Sequence, residues 1–335
     1  MKTKRKGGQF TGTYTAVVTP FRDGKIDEAA LERLIKAQIK ARVDGIVIVG
    51  TTGESPTVNP EEHIRLIKLA VKYAAGKIKV IAGTGGNSTA EAIYLTQAAE
   101  SAGADGSLQV APYYNKPNQE GLFQHFQAIA RATKLPILLY SIPGRCGIEI
   151  GVETVKRLAT CPNIVGIKEA GGNPDRVSQL RAALGPKFTI LCGDDALTLS
   201  FMAVGAQGVI SVASNVMPRA VARMVTMFAN GWTKQALDLH YRLYPLFKAL
   251  FLETNPGPVK AALAMMGQIE EELRLPLVPM EGANREKLRG VLERLGLLKP
   301  SKLEARQPIQ AAAVRQAPNR RLKGSGGSSR DNPLE

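Results

Sequence analysis

The sequence predicts an α/β protein, a (β/α)8 TIM barrel with a C-terminal helical extension. Eight short runs of apolar and β-branched residues recur along the chain, and helical patterns separate successive runs. Runs that are apolar throughout indicate strands buried on both faces, as in a parallel sheet. Eight such strand–helix units within roughly 210 residues fit a closed barrel.

The predicted strands are four to six residues long, and nearly all end in clusters of Gly, Pro, Asn or Asp that indicate turns. They span residues 14–19, 45–49, 79–82, 107–111, 137–140, 164–167, 188–191 and 208–212. An open, doubly wound sheet is the alternative, and it usually has a glycine-rich phosphate turn after its first strand. Here the first strand runs into Thr-Pro-Phe, and the Gly-Thr-Gly-Gly segment at 83–86 is too short and wrongly placed for that motif.

Amphipathic patterns predict the helices that alternate with these strands and those that follow them. The first group covers 29–41, 60–75, 88–102 and 119–133, and the second covers 219–229, 234–251, 258–266 and 285–295. A barrel needs one helix after its eighth strand, so the remaining three predict an extension packed against the barrel. We therefore divide the chain into four parts: a basic N-terminal tail (1–11), the strands and most helices of the barrel (12–215), the last barrel helix with the extension (216–298), and a disordered basic tail (299–335).

The net charge of +15 invites a nucleic-acid interpretation, but its location weakens that interpretation. Residues 1–10 carry +4 and residues 301–335 carry +4, which leaves a mildly basic body that suits anionic substrates. We therefore expect no nucleic-acid partner, although binding through the tails remains a competing hypothesis. With no run of about 18 apolar residues and no apolar stretch behind the basic N-terminus, we expect no membrane span, no secretory signal and a cytoplasmic protein. The spacing of the three cysteines and three histidines predicts neither a disulfide framework nor a metal site.

Reactive groups of such a barrel lie at the C-terminal ends of its strands, and Lys168 is the unusual residue there. It closes the apolar sixth strand, where an unpaired ammonium would be costly to bury. Desolvation disfavours the charged form of a lysine and leaves more free amine, which can attack a ketone to form an imine. A salt bridge, with the adjacent Glu169 as partner, is the structural alternative.

Two further turns contain groups that suit carboxylates. Thr51 and Thr52 stand between glycines after the second strand, and their hydroxyls and nearby amides can hold an anion. Arg145 follows the fifth strand in a Pro-Gly turn and can bind a second carboxylate in bidentate fashion, unless it is an ordinary surface arginine.

Three of the eight tyrosines, Tyr113, Tyr114 and Tyr140, also lie at strand ends. A phenol can relay protons or orient a substrate, whereas the alternative is an ordinary aromatic residue at an interface. Together, one amine, two carboxylate-binding elements and a phenol relay predict a keto acid held as an imine. Its reaction partner would also carry a carboxylate.

Five segments share a pattern with a known family: Gly-Thr-Thr-Gly-Glu (50–54), Pro-Tyr-Tyr-Asn-Lys-Pro (112–117), Leu-Tyr-Ser-Ile-Pro-Gly-Arg (139–145), Gly-Ile-Lys-Glu-Ala (166–170) and Gly-Asp-Asp (193–195). They resemble the dihydrodipicolinate synthase family of pyruvate-dependent class I aldolases, which also contains the N-acetylneuraminate lyases. The resemblance covers roughly residues 10–298 in order. It implies a condensation of pyruvate with L-aspartate 4-semialdehyde, as in the diaminopimelate route of lysine biosynthesis.

The resemblance also implies roles for individual residues. Lys168 would form the imine with pyruvate, and Tyr140 would relay the proton through Thr51 to Tyr114. In this family the tyrosine at the position of Tyr114 reaches in from a neighbouring subunit of a homotetramer built as a dimer of dimers. No metal or organic cofactor is implied, because the covalent imine at Lys168 carries the chemistry.

The same resemblance assigns the binding of the two substrates. Thr51 and Thr52 would hold the pyruvate carboxylate, and Arg145 would bind the carboxylate of the aldehyde. The backbones of Gly193 and Ile210 would line the pocket.

Two positions depart from the family pattern and leave the aldehyde open. Ser141 stands where many synthases have Asn, and Cys146 where they usually have Thr. Another Schiff-base pyruvate aldolase with a different aldehyde is therefore the alternative. A lysine feedback site is implied only in part, with Pro60 replacing a histidine found in some members. Its candidate residues are Ser55, His63, Asn87, Glu91 and Tyr113.

Overall fold

Eight parallel strands close into a barrel in which each strand pairs with a neighbour on either side. The structure is a computed structural model and describes residues 8–300. Closure occurs where the first strand pairs with the last, Tyr14 lying opposite Ile210. The predicted eight-stranded barrel is confirmed. Its strands are β1 Gly12–Ala16, β2 Gly45–Ile48, β3 Lys79–Gly83, β4 Gly106–Val110, β5 Ile137–Ser141, β6 Ile164–Glu169, β7 Thr189–Cys192 and β8 Gly208–Ser211.

Helices follow every strand and continue beyond the barrel. They are α1 Glu28–Ala41, α2 Pro60–Ala74, α3 Thr89–Ser101, α4 Gln119–Arg131, α5 Pro143–Cys146, α6 Val152–Leu158, α7 Pro174–Leu184, α8 Thr198–Ala203, α9 Pro218–Ala229, α10 Thr233–Ala249, α11 Gly257–Met265 and α12 Gly282–Arg294. Between residues 8 and 300, no helix is long and apolar enough to span a membrane.

Short polar side chains determine where the barrel helices begin. Asp27 accepts a hydrogen bond from the backbone N–H of Ala30 at the start of α1. Asn59 and Glu62 form a capping box at the start of α2, where two otherwise unpaired backbone N–H groups find acceptors. These caps fix the helix starts, and hence the lengths of the loops at the C-terminal ends of the strands.

The core has two layers because neighbouring side chains of a strand point to opposite faces of the barrel wall. The inner layer fills the barrel and includes Phe10, Tyr14, Leu138, Tyr140 and Ile210, all at most 4% exposed. The outer, larger layer lies between the strands and the helices. A side chain of β6 that faces inward therefore contacts the inner layer, and the side chain of the next residue faces the helices.

The structure differs from the sequence-based expectation in three places. Phe10, which we placed in the N-terminal tail, is fully buried inside the barrel. A small antiparallel hairpin, Phe21–Arg22 with Lys25–Ile26, lies where we expected only the end of the first strand. The helices α5 to α8 are 4 to 11 residues long, too short to show a clear apolar periodicity. The sequence therefore does not predict their bounds. The expectations for the remaining parts of the tails lie outside the described residues.

The C-terminal extension follows α9, which packs against β1 and α1 as the last barrel helix. Helices α10 and α12 pack together, and α11 contacts α12. The segment between α10 and α11 returns to the C-terminal end of the barrel, where Phe251 and Asn255 reach the cavity described next. The predicted helical extension is confirmed, and it contributes side chains to the candidate site.

Candidate active site

Lys168 lies at the end of β6 and faces the barrel interior. Only 7% of it is exposed, and its Nζ lies 3.9 Å from the ring centroid of Tyr140, its register partner on β5. The amine therefore lies over the electron-rich face of an aromatic ring, which attracts a cation when the lysine is protonated.

Glu169, the alternative partner of Lys168, points to the opposite face of the strand. Its carboxylate accepts from Arg176 Nε at 2.7 Å and from the backbone N–H of Gly171 at 2.7 Å. Burial raises the pKa of Glu169, and the Arg176 guanidinium opposes that shift. Within residues 8–300, no carboxylate lies within salt-bridge distance of Lys168, so its amine is available to a ligand.

The Thr-Thr-Gly turn after β2 is a 3-10 helix, Thr51–Gly53, with strained residues on either side. Val49 has φ +52° and Glu54 has φ +57°, a region that β-branched and bulky side chains rarely occupy. Gly83 permits this path, because a Cβ there would lie 2.5 Å from the carbonyl oxygen of Val49. The backbone is thus bent so that Thr51 and Thr52 both line the cavity.

A buried ion pair holds the same turn from behind. The carboxylate of Glu54 accepts from Lys260 Nζ of α11 at 2.5 Å and from the backbone N–H of Arg274 at 3.0 Å. The side chains of Glu54 and Lys260 are 1% and 0% exposed. Burial lowers the pKa of Lys260, and the Glu54 carboxylate opposes that shift. The turn is therefore tied to the C-terminal extension.

Arg145 lies in α5 at the mouth of the cavity, and its Nη2 donates to the carbonyl oxygen of Asn255 at 3.1 Å. Its neighbour Cys146 lines the cavity but is 3% exposed, and burial raises the pKa of its thiol to about 11. Ser141, the other departure from the family pattern, is buried and does not line the cavity. Of the two departures, only Cys146 can touch a ligand in the cavity.

One cavity of about 250 Å³ brings together six of the eight predicted catalytic and substrate-binding residues. These are Thr51, Thr52, Tyr140, Arg145, Lys168 and Gly193. Gly193 has to be a glycine, since a Cβ would lie 2.6 Å from Cβ of Ala170 and 2.9 Å from Cε of Lys168. Ile210 is buried in the inner core layer and is not part of the lining. The role predicted for its backbone stays a prediction.

Tyr114, like Ile210, lies outside the cavity lining. It is 91% exposed and has φ +72°, an uncommon value for a tyrosine. Its phenol does not reach the cavity of its own chain, and its proposed role depends on a second subunit.

The end of β8 is fixed by Asp195, the buried carboxylate that closes the Gly-Asp-Asp segment. It accepts from Ser211 Oγ at 2.5 Å and from the backbone N–H groups of Val212 and Ala213 at 2.9 Å each. Burial raises the pKa of Asp195 to about 6, and these hydrogen bonds oppose the shift. Asp195 thereby joins the loop after β7 to the loop after β8.

Two candidates for the lysine site line the cavity, and two others lie near one of these. Ser55 and Tyr113 line the cavity, and Asn87 Nδ2 donates to the carbonyl oxygen of Tyr113 at 3.3 Å. Burial, followed by the charge of Glu91, raises the pKa of Tyr113. His63 is buried, its Nε2 lies 2.8 Å from the carbonyl oxygen of Gly83, and burial lowers its pKa to about 4.

Sequence reasoning missed Asn255 and Phe251. Both lie near the junction of two predicted helices. The prediction of site residues considered only the C-terminal ends of the strands. No three His, Cys, Asp or Glu side chains from residues 8–300 come together as a metal-binding group.

Comparison with known proteins identifies relatives of this arrangement. The model of the dihydrodipicolinate synthetase family matches residues 9–295. A 4-hydroxy-tetrahydrodipicolinate synthase of Persephonella marina is 53% identical over 292 residues, which cover 87% of this chain and 100% of that protein. The structure of the 4-hydroxy-tetrahydrodipicolinate synthase of Methylacidiphilum fumariolicum SolV has 59% identity and a TM-score of 0.85, covering 86% of this chain and 96% of that one. A dihydrodipicolinate synthase of Aquifex aeolicus has 51% identity and a TM-score of 0.86, covering 87% and 100%.

Proposed function

This chain belongs to the dihydrodipicolinate synthetase family, and we propose that it condenses pyruvate with L-aspartate 4-semialdehyde to form 4-hydroxy-tetrahydrodipicolinate, in the diaminopimelate route of lysine biosynthesis. The observation that carries the proposal is the buried amine of Lys168, free of any carboxylate among residues 8–300. It opens into a cavity that is also lined by Thr51, Thr52 and Arg145. The names of the relatives support the same reaction.

The first step is imine formation. Nζ of Lys168 attacks the ketone carbon of pyruvate, and the ketone oxygen leaves as water. Thr51 and Thr52 bind the pyruvate carboxylate beside the lysine. Tyr140 delivers and removes the protons that this exchange requires, in a relay that continues through Thr51 to Tyr114.

The second step forms the carbon–carbon bond. The imine loses a proton from the pyruvate methyl group and becomes an enamine, whose terminal carbon attacks the aldehyde carbon. The aldehyde oxygen takes up a proton and becomes a hydroxyl group. Arg145 binds the carboxylate of the incoming aldehyde, so that its reactive carbon approaches the enamine in one orientation.

The third step releases the enzyme. The amino group of the condensed substrate attacks the imine carbon, the bond to Nζ of Lys168 breaks, and the ring closes. The backbone of Gly193 lines the space in which this happens. Every step is a proton transfer, an addition or an elimination, so the proposed chemistry requires no metal or organic cofactor.

A homotetramer, built as a dimer of dimers, would complete this site. The exposed phenol of Tyr114 supports the proposal, because it reaches no part of its own cavity and can enter that of a second subunit. Mixing inactive K168A chains with Y114F chains tests it. A hybrid dimer would contain one site with an intact lysine and a tyrosine from the other chain, so activity should exceed the sum of the two variants. Purely additive activity in confirmed hybrids would contradict a shared site.

Weak or moderate inhibition by lysine is a second part of the proposal. Asn87 and Glu91 lie near Tyr113, which lines the cavity together with Ser55, and this proximity supports a polar site there. The proline at residue 60, in place of a histidine, argues for weaker binding. Turnover that is unchanged at millimolar lysine would rule this site out.

Trapping with borohydride tests the main proposal. The protein is incubated with pyruvate and borohydride, and the reduced adduct is mapped by mass spectrometry. We expect modification at Lys168 and its loss in a K168A variant. An adduct at any other lysine, or none, would contradict the mechanism.

A different aldehyde is the second candidate function, because Cys146 lines the cavity beside Arg145. Coupled assays with aspartate semialdehyde and with N-acetylmannosamine separate the two. Faster turnover with the amino sugar would favour a lyase. Removal of residues 1–7 and 301–335 should leave turnover intact, whereas its loss in a folded truncated protein would favour a function of the basic tails.

A further inference from the structure

Asn255 lies in the segment between α10 and α11 that reaches the C-terminal end of the barrel. It is 5% exposed and lines the cavity, although it belongs to the extension and not to any strand-end motif. Its contacts involve two of the groups to which the proposed function assigns the substrate carboxylates.

The side-chain amide of Asn255 binds Thr52. Nδ2 donates to Thr52 Oγ1 at 3.0 Å, and both residues are at least 95% buried. An amide nitrogen can only donate, so the hydroxyl of Thr52 must act as acceptor in this contact. The single proton of that hydroxyl is then directed elsewhere. Because Thr52 lines the cavity, an anion bound there is the acceptor that can receive it.

The backbone of Asn255 binds Arg145. Its carbonyl oxygen accepts from Nη2 at 3.1 Å, which restrains the guanidinium at the cavity mouth and leaves its other N–H groups for a ligand. The Oδ1 atom of Asn255 is buried and has no hydrogen-bond partner among residues 8–300. Thr52 is therefore the polar contact that orients the amide.

We propose that Asn255 is a positioning residue for pyruvate, and that it acts by holding the Thr52 hydroxyl as an acceptor so that its proton faces the pyruvate carboxylate. The inference rests on the proposed function, since it requires pyruvate in the cavity. The carbonyl of the same residue restrains Arg145, so one segment of the extension arranges the binding of both carboxylates.

Two substitutions separate this role from simple filling of space. N255A removes the donor, and pyruvate should bind roughly three- to tenfold more weakly, the range for one neutral hydrogen bond. N255D keeps the shape of asparagine but offers only acceptors, so it would draw the Thr52 proton away from pyruvate, and its charge would also repel the pyruvate carboxylate. N255D should therefore bind pyruvate more weakly than N255A. A space-filling role predicts instead that N255A weakens binding equally with and without the Thr52 hydroxyl, which the T52V background tests.

The measurement is the pyruvate concentration that gives half-maximal borohydride trapping at Lys168, together with KM for pyruvate and kcat. The loss should appear in half-saturation and KM, with little change in kcat, because the carboxylate is bound in both ground and transition states. In a T52V background, N255A should have no further effect, since the hydroxyl on which it acts is gone. If N255A does not fold, N255L, which is uncharged and has no donor, is compared with N255Q, which retains a donor and should bind pyruvate more tightly.

Asn163 provides a matched control at the opposite end of β6. Its Nδ2 donates to the carbonyl oxygens of Ala130 and Thr133 at 2.9 and 3.0 Å, far from the cavity lining. N163A should lower stability and leave pyruvate half-saturation unchanged.

Half-saturation equal to wild type in both N255A and N255D, or weaker binding in N255A than in N255D, would overturn the inference. So would a full effect of N255A in the T52V background. The proposed function fails separately, when the wild-type protein itself forms no adduct at Lys168.

Discussion

Replacing Lys260 by methionine should destabilise the protein by about 3–5 kcal/mol, because the carboxylate of Glu54 would remain buried without its cation. The two side chains meet at 2.5 Å and are 0% and 1% exposed. Water cannot reach the carboxylate to replace the lost partner. The backbone N–H of Arg274, at 3.0 Å, would be the hydrogen bond that remains to Glu54 among those described.

The double variant E54Q/K260M should be less destabilised than K260M alone. It removes both charges while it keeps the approximate volumes of the side chains, and exchange of a whole buried pair is often nearly neutral. E54Q alone leaves Lys260 in a site where burial already lowers its pKa. Without the carboxylate that opposes the shift, the pKa of Lys260 should fall further and the lysine should lose its proton more readily.

Urea unfolding at a fixed protein concentration, followed by circular dichroism, measures these effects. The ion pair of Lys36 with Glu32 on α1 is the matched control, with a distance of 2.7 Å and side chains that are 65% and 38% exposed. K36M should cost less than about 1 kcal/mol, since exposed ion pairs contribute little. A cost for K260M no greater than that for K36M would refute the reasoning, and so would a double variant less stable than K260M.

Acid should destabilise the fold through His63 and His125, because burial lowers the pKa of each from 6.5 to about 4. Between pH 6.5 and about 4 the unfolded state binds more protons than the folded state. Each histidine therefore lowers the free energy of unfolding by roughly 3 kcal/mol as the pH falls through this range. H63Q or H125Q should reduce the pH dependence of the urea midpoint, and an unchanged pH dependence would contradict this. Gly193→Ala should reduce imine trapping about tenfold or more by displacing Lys168, the proposed nucleophile, whereas Gly282→Ala, with nothing within 4 Å of its added Cβ, should not. The Cys146 thiol, with its pKa raised to about 11, should react slowly with iodoacetamide at neutral pH. Rapid alkylation of Cys146 itself in the folded protein would show that this thiol is not held protonated.

The strand-end residues of the site could be predicted from sequence because a parallel barrel brings the C-terminal ends of all its strands to one rim. Lys168, Tyr140 and Thr51 needed only a correct strand count to be placed together. The glycine at 193 could be recognised from its motif, and the structure adds the reason, which is the space needed by the side chains of Ala170 and Lys168.

The contribution of the extension could not be predicted in the same way. Asn255 and Thr52 are 203 residues apart in sequence, and Lys260 and Glu54 are 206 apart. No periodicity or local motif indicates which loop covers a barrel mouth, because that depends on how the added helices pack. Tyr114 is different again, since its predicted role involves a second chain and stays a prediction.

The barrel and the extension make separable contributions to this site. The strands carry the proposed nucleophile and its phenol neighbour, whose position follows from the register of β5 with β6. The extension holds the groups proposed to bind carboxylates: Asn255 contacts Thr52 and Arg145, and Lys260 fixes the turn at Glu54. In the proposed reaction, imine formation needs the first set, whereas the choice and orientation of substrates need the second. Substitutions in the extension can therefore alter substrate binding while every strand-end residue stays the same. We expect such variants to change KM for the substrates more than they change imine formation at Lys168.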